Sequence, residues 1–189
     1  YRNMAYDVKN SITVAGMDGP DNVTTLTIEP GVRLRFNFRT GMTISDSDTP
    51  GSLRVNGANG SPVLFTANSN DPSPGSWNGI SLGPNSINSE LNHAVVEFAS
   101  TNIFLDKSLL QISDSSVRNA NHSGVSISGG ILSAVDSAFS KNRYGIYVYN
   151  SGSLNVTGSV ISSNSSYGIY SANNSTASAQ FNWWGYSSG

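Results

Sequence analysis

A chain of 189 residues is one domain's worth of protein, long enough to bury a core without disulfides or metals. Only 12% of it is charged and the net charge is −2, which excludes the basic footprint of a nucleic-acid or anionic-lipid binder. There is no cysteine, hence no disulfide scaffold and no thiolate metal site.

No run approaches the roughly 20 apolar residues that span a bilayer, so membrane insertion is not expected. A chain that opens on Tyr1 without a charged-then-apolar leader reads as a mature form or an excised domain. Asn, Ser, Thr and Gly crowd every part of it, yet Val, Ile, Leu, Phe and Tyr recur at short intervals, which a disordered chain has no reason to keep.

Along the chain, residues 1–75 read as irregular coils. Val32 and Leu34 step 21 residues to Leu53 and Val55, and Met42-Thr-Ile44 and Val63-Leu-Phe65 have the alternation of strands. Asp71-Pro-Ser-Pro-Gly75 predicts a loop leaving the coil, because two close prolines cannot pair inside a sheet.

Residues 76–189 read as regular coils. Leu110, Leu132 and Leu154 are 22 residues apart, and Ile112, Ala134 and Val156 repeat the step. Val95, Val117, Phe139, Ile161 and Trp183 form a third column, and Ile103, Val125, Ile146 and Ile169 a fourth that advances by 22, 21 and 23. Inside each period apolar residues alternate with polar ones, as in Ile146-Tyr-Val-Tyr149 and Leu154-Asn-Val156, and Gly129-Gly130 and Asn150-Ser-Gly152 supply turns.

Period 2 inside period 22 means short strands wound around a coil that buries its side chains only by stacking on its neighbours. The expected fold is all-β: a single-domain parallel β-helix over 1–189, about 22 residues per coil and about seven coils, with no helix of useful length. The Leu-x-x-Leu-x-Leu pattern of leucine-rich repeats is missing.

Leu26-Thr-Ile-Glu-Pro-Gly-Val32, Gly60-Ser-Pro-Val-Leu-Phe-Thr66, Pro74-Gly-Ser-Trp-Asn-Gly-Ile80, Tyr144-Gly-Ile-Tyr147 and Asn182-Trp-Trp-Gly185 resemble the phrases of right-handed parallel β-helix repeat proteins, the carbohydrate-binding and sugar-hydrolase type repeats of secreted and cell-surface proteins. The resemblance covers nearly the whole chain. It implies the right-handed fold, an extracellular or cell-surface location and a glycan ligand, and it leaves the activity open.

Polysaccharide-degrading relatives of that kind carry Asn-Thr-Asp, Gly-Asp-Asp, Gly-His-Gly or Arg-Ile-Lys runs, none of which occurs here. Asp114 and Asp136, one period apart, place two carboxylates about one strand spacing, roughly 5 Å, apart. Such a pair could hold a cation or act on a glycosidic bond, but Gly158 continues the column, as a turn would. His93 and His122 share no column and read as surface or turn residues.

The aromatic residues point elsewhere. Tyr144 and Tyr167 are 23 residues apart, as are Tyr147 and Tyr170. With Ile146 and Val148 inward, Tyr147 and Tyr149 face out. Tyr147, Tyr149 and Tyr170 are therefore candidate carbohydrate-binding residues, an aromatic platform for sugar rings; a tyrosine ladder that merely stabilises the coils is the competing reading.

Trp183 is expected to close the last coil, Trp184 to cover its end or edge a ligand surface, and Trp77 to pack at a coil corner. Asn142 and Asn164 suggest an internal amide ladder. Asn-x-Ser/Thr sequons stand at Asn22, Asn59, Asn121, Asn155, Asn164, Asn173 and Asn174.

The expected function is a non-catalytic extracellular module that binds a polysaccharide or cell-surface glycan, without metal, cofactor or nucleic acid. A β-helix lyase or glycoside hydrolase, and a structural spacer of a surface layer, sheath or fibre, are the alternatives.

Overall fold

In Leu109–Ser113 and Ser153–Thr157 every second side chain is buried, so each strand turns one edge of its pleat to a core and the other to water. Repetition of such strands produces the architecture seen in the computed structural model, which describes residues 4–18 and 20–185. Each coil contributes one strand to each of three seven-stranded sheets, and every strand pair is parallel. The result is a right-handed parallel β-solenoid of about seven coils, roughly 23 residues per turn, with no helix among the described residues.

The core is a set of stacked columns. In the third sheet Leu110, Leu132 and Leu154 are in register and buried; Leu26 and Leu53 begin the same column, and Ser89 interrupts it. In the second sheet Ile12, Met42, Ile80, Ile103, Val125, Ile146 and Ile169 follow one another in register.

Two expected columns are corrected. The first-sheet column runs Leu34, Phe65, Val96, Val117, Phe139, Ile161. Val95 pairs with Ser116 and faces outward, because the coil between Val96 and Val117 is a residue shorter than its successors. At the other end Trp183 bridges the outward Val160, and Trp184 follows Ile161 inward, its ring 3.3 Å from the position a Cβ on Gly168 would occupy. Trp184 thus closes the last coil.

Leu34 and Val55, expected to share a column, lie in different sheets. Excursions at 45–50, 57–62 and 68–78 lengthen the early coils, so Leu34 reaches its true partner Phe65 only 31 residues on. The last excursion contains the expected Asp71–Gly75 loop and ends on Trp77, which is buried, stacks on Phe36 at 4.2 Å and donates its indole N–H to the Glu97 carbonyl at 2.8 Å.

The corners carry the polar ladders. Between the third and first sheets His93, Asp114, Asp136 and Gly158 all have φ between 48° and 61°, the left-handed conformation that turns the chain. Just after them the buried Ser115, Ser137 and Ser159 stack: the amides of Ser115 and Ser137 each donate to the next serine's Oγ at 3.1 Å, and the Ser159 amide to Asn182 Oδ1 at 2.9 Å.

At the next corner the Ala120 amide donates to Asn142 Oδ1 at 2.8 Å and the Asn142 amide to Asn164 Oδ1 at 3.1 Å. The Asn164 Nδ2 donates to the Phe139 carbonyl at 2.9 Å. This is the expected asparagine ladder, and it needs room. A Cβ on Gly124 or Gly145 would stand 2.8 Å from the Nδ2 of Asn142 or Asn164.

Candidate functional site

The strand Tyr144–Tyr149 buries Gly145, Ile146 and Val148. Two consecutive buried positions shift the alternation by one residue, so Tyr144 comes to the outer face with Tyr147 and Tyr149. The strand Tyr167–Ser171 repeats the Tyr-Gly-Ile-Tyr phrase one coil later, in register: Tyr144 beside Tyr167 and Tyr147 beside Tyr170.

Five rings make one continuous array on the second sheet. Tyr147 stacks on Tyr149 with centroids 4.9 Å apart and on Tyr144 at 5.4 Å; Tyr144 lies parallel to Tyr167 at 6.0 Å. Tyr170 meets Tyr147 at 5.3 Å and Tyr167 at 5.2 Å, both tilted. Tyr167 is 54% exposed and Tyr170 38%, and the other three are half-buried.

His122, 22 residues before Tyr144, joins one edge of the array, 5.2 Å from the Tyr144 ring and 6.0 Å from Tyr147. Its burial, and then the charge of Arg143, push its pKa below the ordinary value. Arg143 lies over the Tyr144 ring at 5.2 Å. The sequence has no carboxylate side chain after Asp136, and its last charged residue is Arg143. The array therefore offers apolar ring surface, phenol hydroxyls and a cationic edge.

One coil earlier the same backbone shift occurs in Ser123-Gly124-Val125-Ser126, where serines stand in register with Tyr144 and Tyr147. The shift belongs to the asparagine ladder; the aromatic rings are an addition to it.

A shallow groove of about 530 Å³ runs along the outer first sheet, between the corner residues His93, Asp114 and Asp136 and the outward Val95, Ser116 and Ala138. The Asp136 carboxylate leans over Gly158, whose missing side chain makes space for it. With φ of 49° and 48°, both aspartates occupy the turn conformation.

Beside it, a second depression of about 440 Å³ holds the buried Glu97, which accepts from Arg118 Nε at 2.8 Å and Thr66 Oγ1 at 3.1 Å. Among the described residues no group of three or more His, Asp or Glu side chains converges as a metal site.

Sequence reasoning brings Tyr147, Tyr149 and Tyr170 together on one face, as the structure does. It missed His122 and the full membership of Tyr144 and Tyr167, for which the 22-residue step from His122 to Tyr144 was the available signal. Of the sequons, Asn164 is spent in the ladder through both amide atoms, whereas Asn22, Asn59, Asn121, Asn155, Asn173 and Asn174 are exposed.

The pattern that defines pectate-lyase-like β-helix domains matches residues 2–104, more than half of the sequence. The chain belongs to this family. The match falls on the early coils with their long excursions, while the aromatic array lies beyond it. No curated protein and no solved structure matches the chain.

Proposed function

We propose that this β-helix domain is a non-catalytic carbohydrate-binding or adhesive module of an extracellular or cell-surface protein, and that a polysaccharide or cell-surface glycan stacks on Tyr147, Tyr149 and Tyr170, extended by Tyr144 and Tyr167. The observation that carries the reading is the contrast between neighbouring coils: Ser123 and Ser126 adopt the same backbone without rings, so the fold does not require aromatics at those positions. A rigid parallel sheet holds the rings in fixed relative positions, which lowers the ordering cost of binding. Tyrosine suits the task because its ring stacks on the apolar face of a pyranose while its hydroxyl stays wet.

Pull-down on insoluble neutral polysaccharides tests this. The wild type should be retained, and moderate salt should not release it, because stacking is not screened as charge contacts are. Tyr147→Ala and Tyr149→Ala should each weaken retention. Retention unchanged in both variants, with the fold intact by circular dichroism, would reduce the array to a structural ladder.

A further inference from the structure

The last coil is the least well buried. Where the preceding coil has Leu154 and Val156 inward, the strand Thr176–Gln180 has Ala177 and Ala179, and most of its residues are exposed. The strand Tyr167–Ser171 is similarly exposed. A coil that buries so little apolar surface opens locally at low cost. The chain has no cysteine, so a disulfide cannot staple that coil to its neighbour.

The array brings another pair of coupling-competent groups to the same junction. Five of the eight tyrosines lie in it, and Tyr147 and Tyr170 sit opposite each other on adjacent strands, 5.3 Å apart with their planes tilted by 42°. The tilt matters, because a carbon–carbon bond between two phenols forms in the plane of each ring, a direction that parallel faces such as Tyr144 and Tyr167 turn away from one another. Tyr170 is also 38% exposed, open to an oxidant in solution. Fixed proximity of this kind gives an intramolecular step a large advantage over coupling between molecules.

We propose that Tyr147 and Tyr170 form an oxidative cross-linking site, at which a peroxide, acting through a haem peroxidase, couples the two phenols into a dityrosine that staples the last coil to the rest of the solenoid. Each phenol gives up one electron and its hydroxyl proton. The two radicals join ortho carbon to ortho carbon, and each of those carbons passes its hydrogen back to its phenol oxygen as a proton, which restores aromaticity. The two electrons and two protons released convert one hydrogen peroxide to two waters. This site does not depend on glycan binding, since no sugar takes part in its chemistry.

The experiment treats the dilute full chain with hydrogen peroxide and a haem peroxidase, then follows dityrosine fluorescence, intact mass and peptide maps. The expected product is a monomer lighter by two hydrogens, with one peptide from 144–149 joined to one from 167–171. Tyr170→Phe, which keeps the ring and the packing, should abolish it. Tyr149→Phe should leave it unchanged, and unfolding the wild type in urea before oxidation should suppress it. Amide exchange of Thr176–Gln180 should slow at least about threefold after coupling. Coupling found only between molecules, coupling that survives Tyr170→Phe, absence of dityrosine, or unchanged exchange in the coupled monomer each overturns the proposal. Glycan retention, measured separately on unoxidised protein, reports on the binding reading alone.

Discussion

Leu132 is fully buried and stacked in register between Leu110 and Leu154 near the middle of the third sheet. Replacing it with Ala removes three buried carbons and leaves a hole whose upper and lower walls are held at the strand spacing of about 4.8 Å by parallel hydrogen bonds on both sides. Core Leu→Ala changes cost about 2–5 kcal/mol, and a site that cannot collapse falls in the upper half, about 3–5 kcal/mol. An unfolding entropy of about 2.1 cal/mol/K per residue gives about 0.4 kcal/mol/K for the 189-residue chain, so the melting temperature should drop by about 8–12 °C.

Ser133 is the control. It is adjacent, exposed and outward, and Ser133→Ala should stay within about 0.5 kcal/mol, or roughly 1 °C. Urea unfolding with matched slopes, together with scanning calorimetry, reads both variants. Equal shifts at the two positions, or a loss below about 1 kcal/mol at Leu132, would show that the inward register or the rigidity of the stack has been misjudged.

Gly145→Ala should cost more than the roughly 1 kcal/mol typical of a point mutation, because its Cβ would meet the Gly168 carbonyl and stand 2.8 Å from Asn164 Nδ2; chemical denaturation of the variant checks it. At Asp136, with φ of 48°, Asp136→Gly should be tolerated within a few tenths of a kcal/mol, whereas the β-branched Asp136→Val should lose about 1–3 kcal/mol; a glycine variant as damaging as valine would point to a carboxylate contact. The folded His122 has a pKa below its ordinary value of 6.5, from burial first and Arg143 second, so the unfolded chain takes up the proton more readily. That contribution to stability is full above about pH 6.5 and declines as pH falls from there toward the lowered folded pKa; the melting temperature of His122→Gln relative to wild type, followed from about pH 7.5 to about pH 5, should rise on acidification.

The solenoid was legible because its later coils keep their length. Leu110, Leu132 and Leu154 repeat without insertions, so stacking follows from subtraction alone. Where insertions intervene, the same subtraction misleads: the 21-residue step from Leu34 to Val55 joins two different sheets, and a coil one residue short exchanges Val95 for Val96. The ion pair of Glu97 with Arg118 was illegible for the same reason, since it spans that short coil. Outward tyrosines could be read from the inward Ile146 and Val148, but Tyr144 could not, because simple alternation carries its side chain to the wrong face.

What puts Tyr144 on the array is Gly145, and what requires Gly145 is the Gly168 carbonyl together with the asparagine ladder. The ladder's amide fills the space of a Cβ, two buried positions then follow in succession, and the preceding residue is turned outward. The coil at 123–126 obeys the same rule with serines and the coil at 144–147 with tyrosines; at 167–170 the Tyr-Gly-Ile-Tyr phrase continues in register, with Ile161 and Trp184 rather than an amide against Gly168. Backbone geometry is therefore common to the coils at 123–126 and 144–147, and only the side-chain choice differs. If Tyr144→Ser and Tyr147→Ser together, which copy the serine coil, leave stability within about 1 kcal/mol yet abolish retention on polysaccharide, the rings serve a ligand; a loss of several kcal/mol, at the about 0.5–1.5 kcal/mol that each stacked aromatic pair contributes, would mean that they serve the fold.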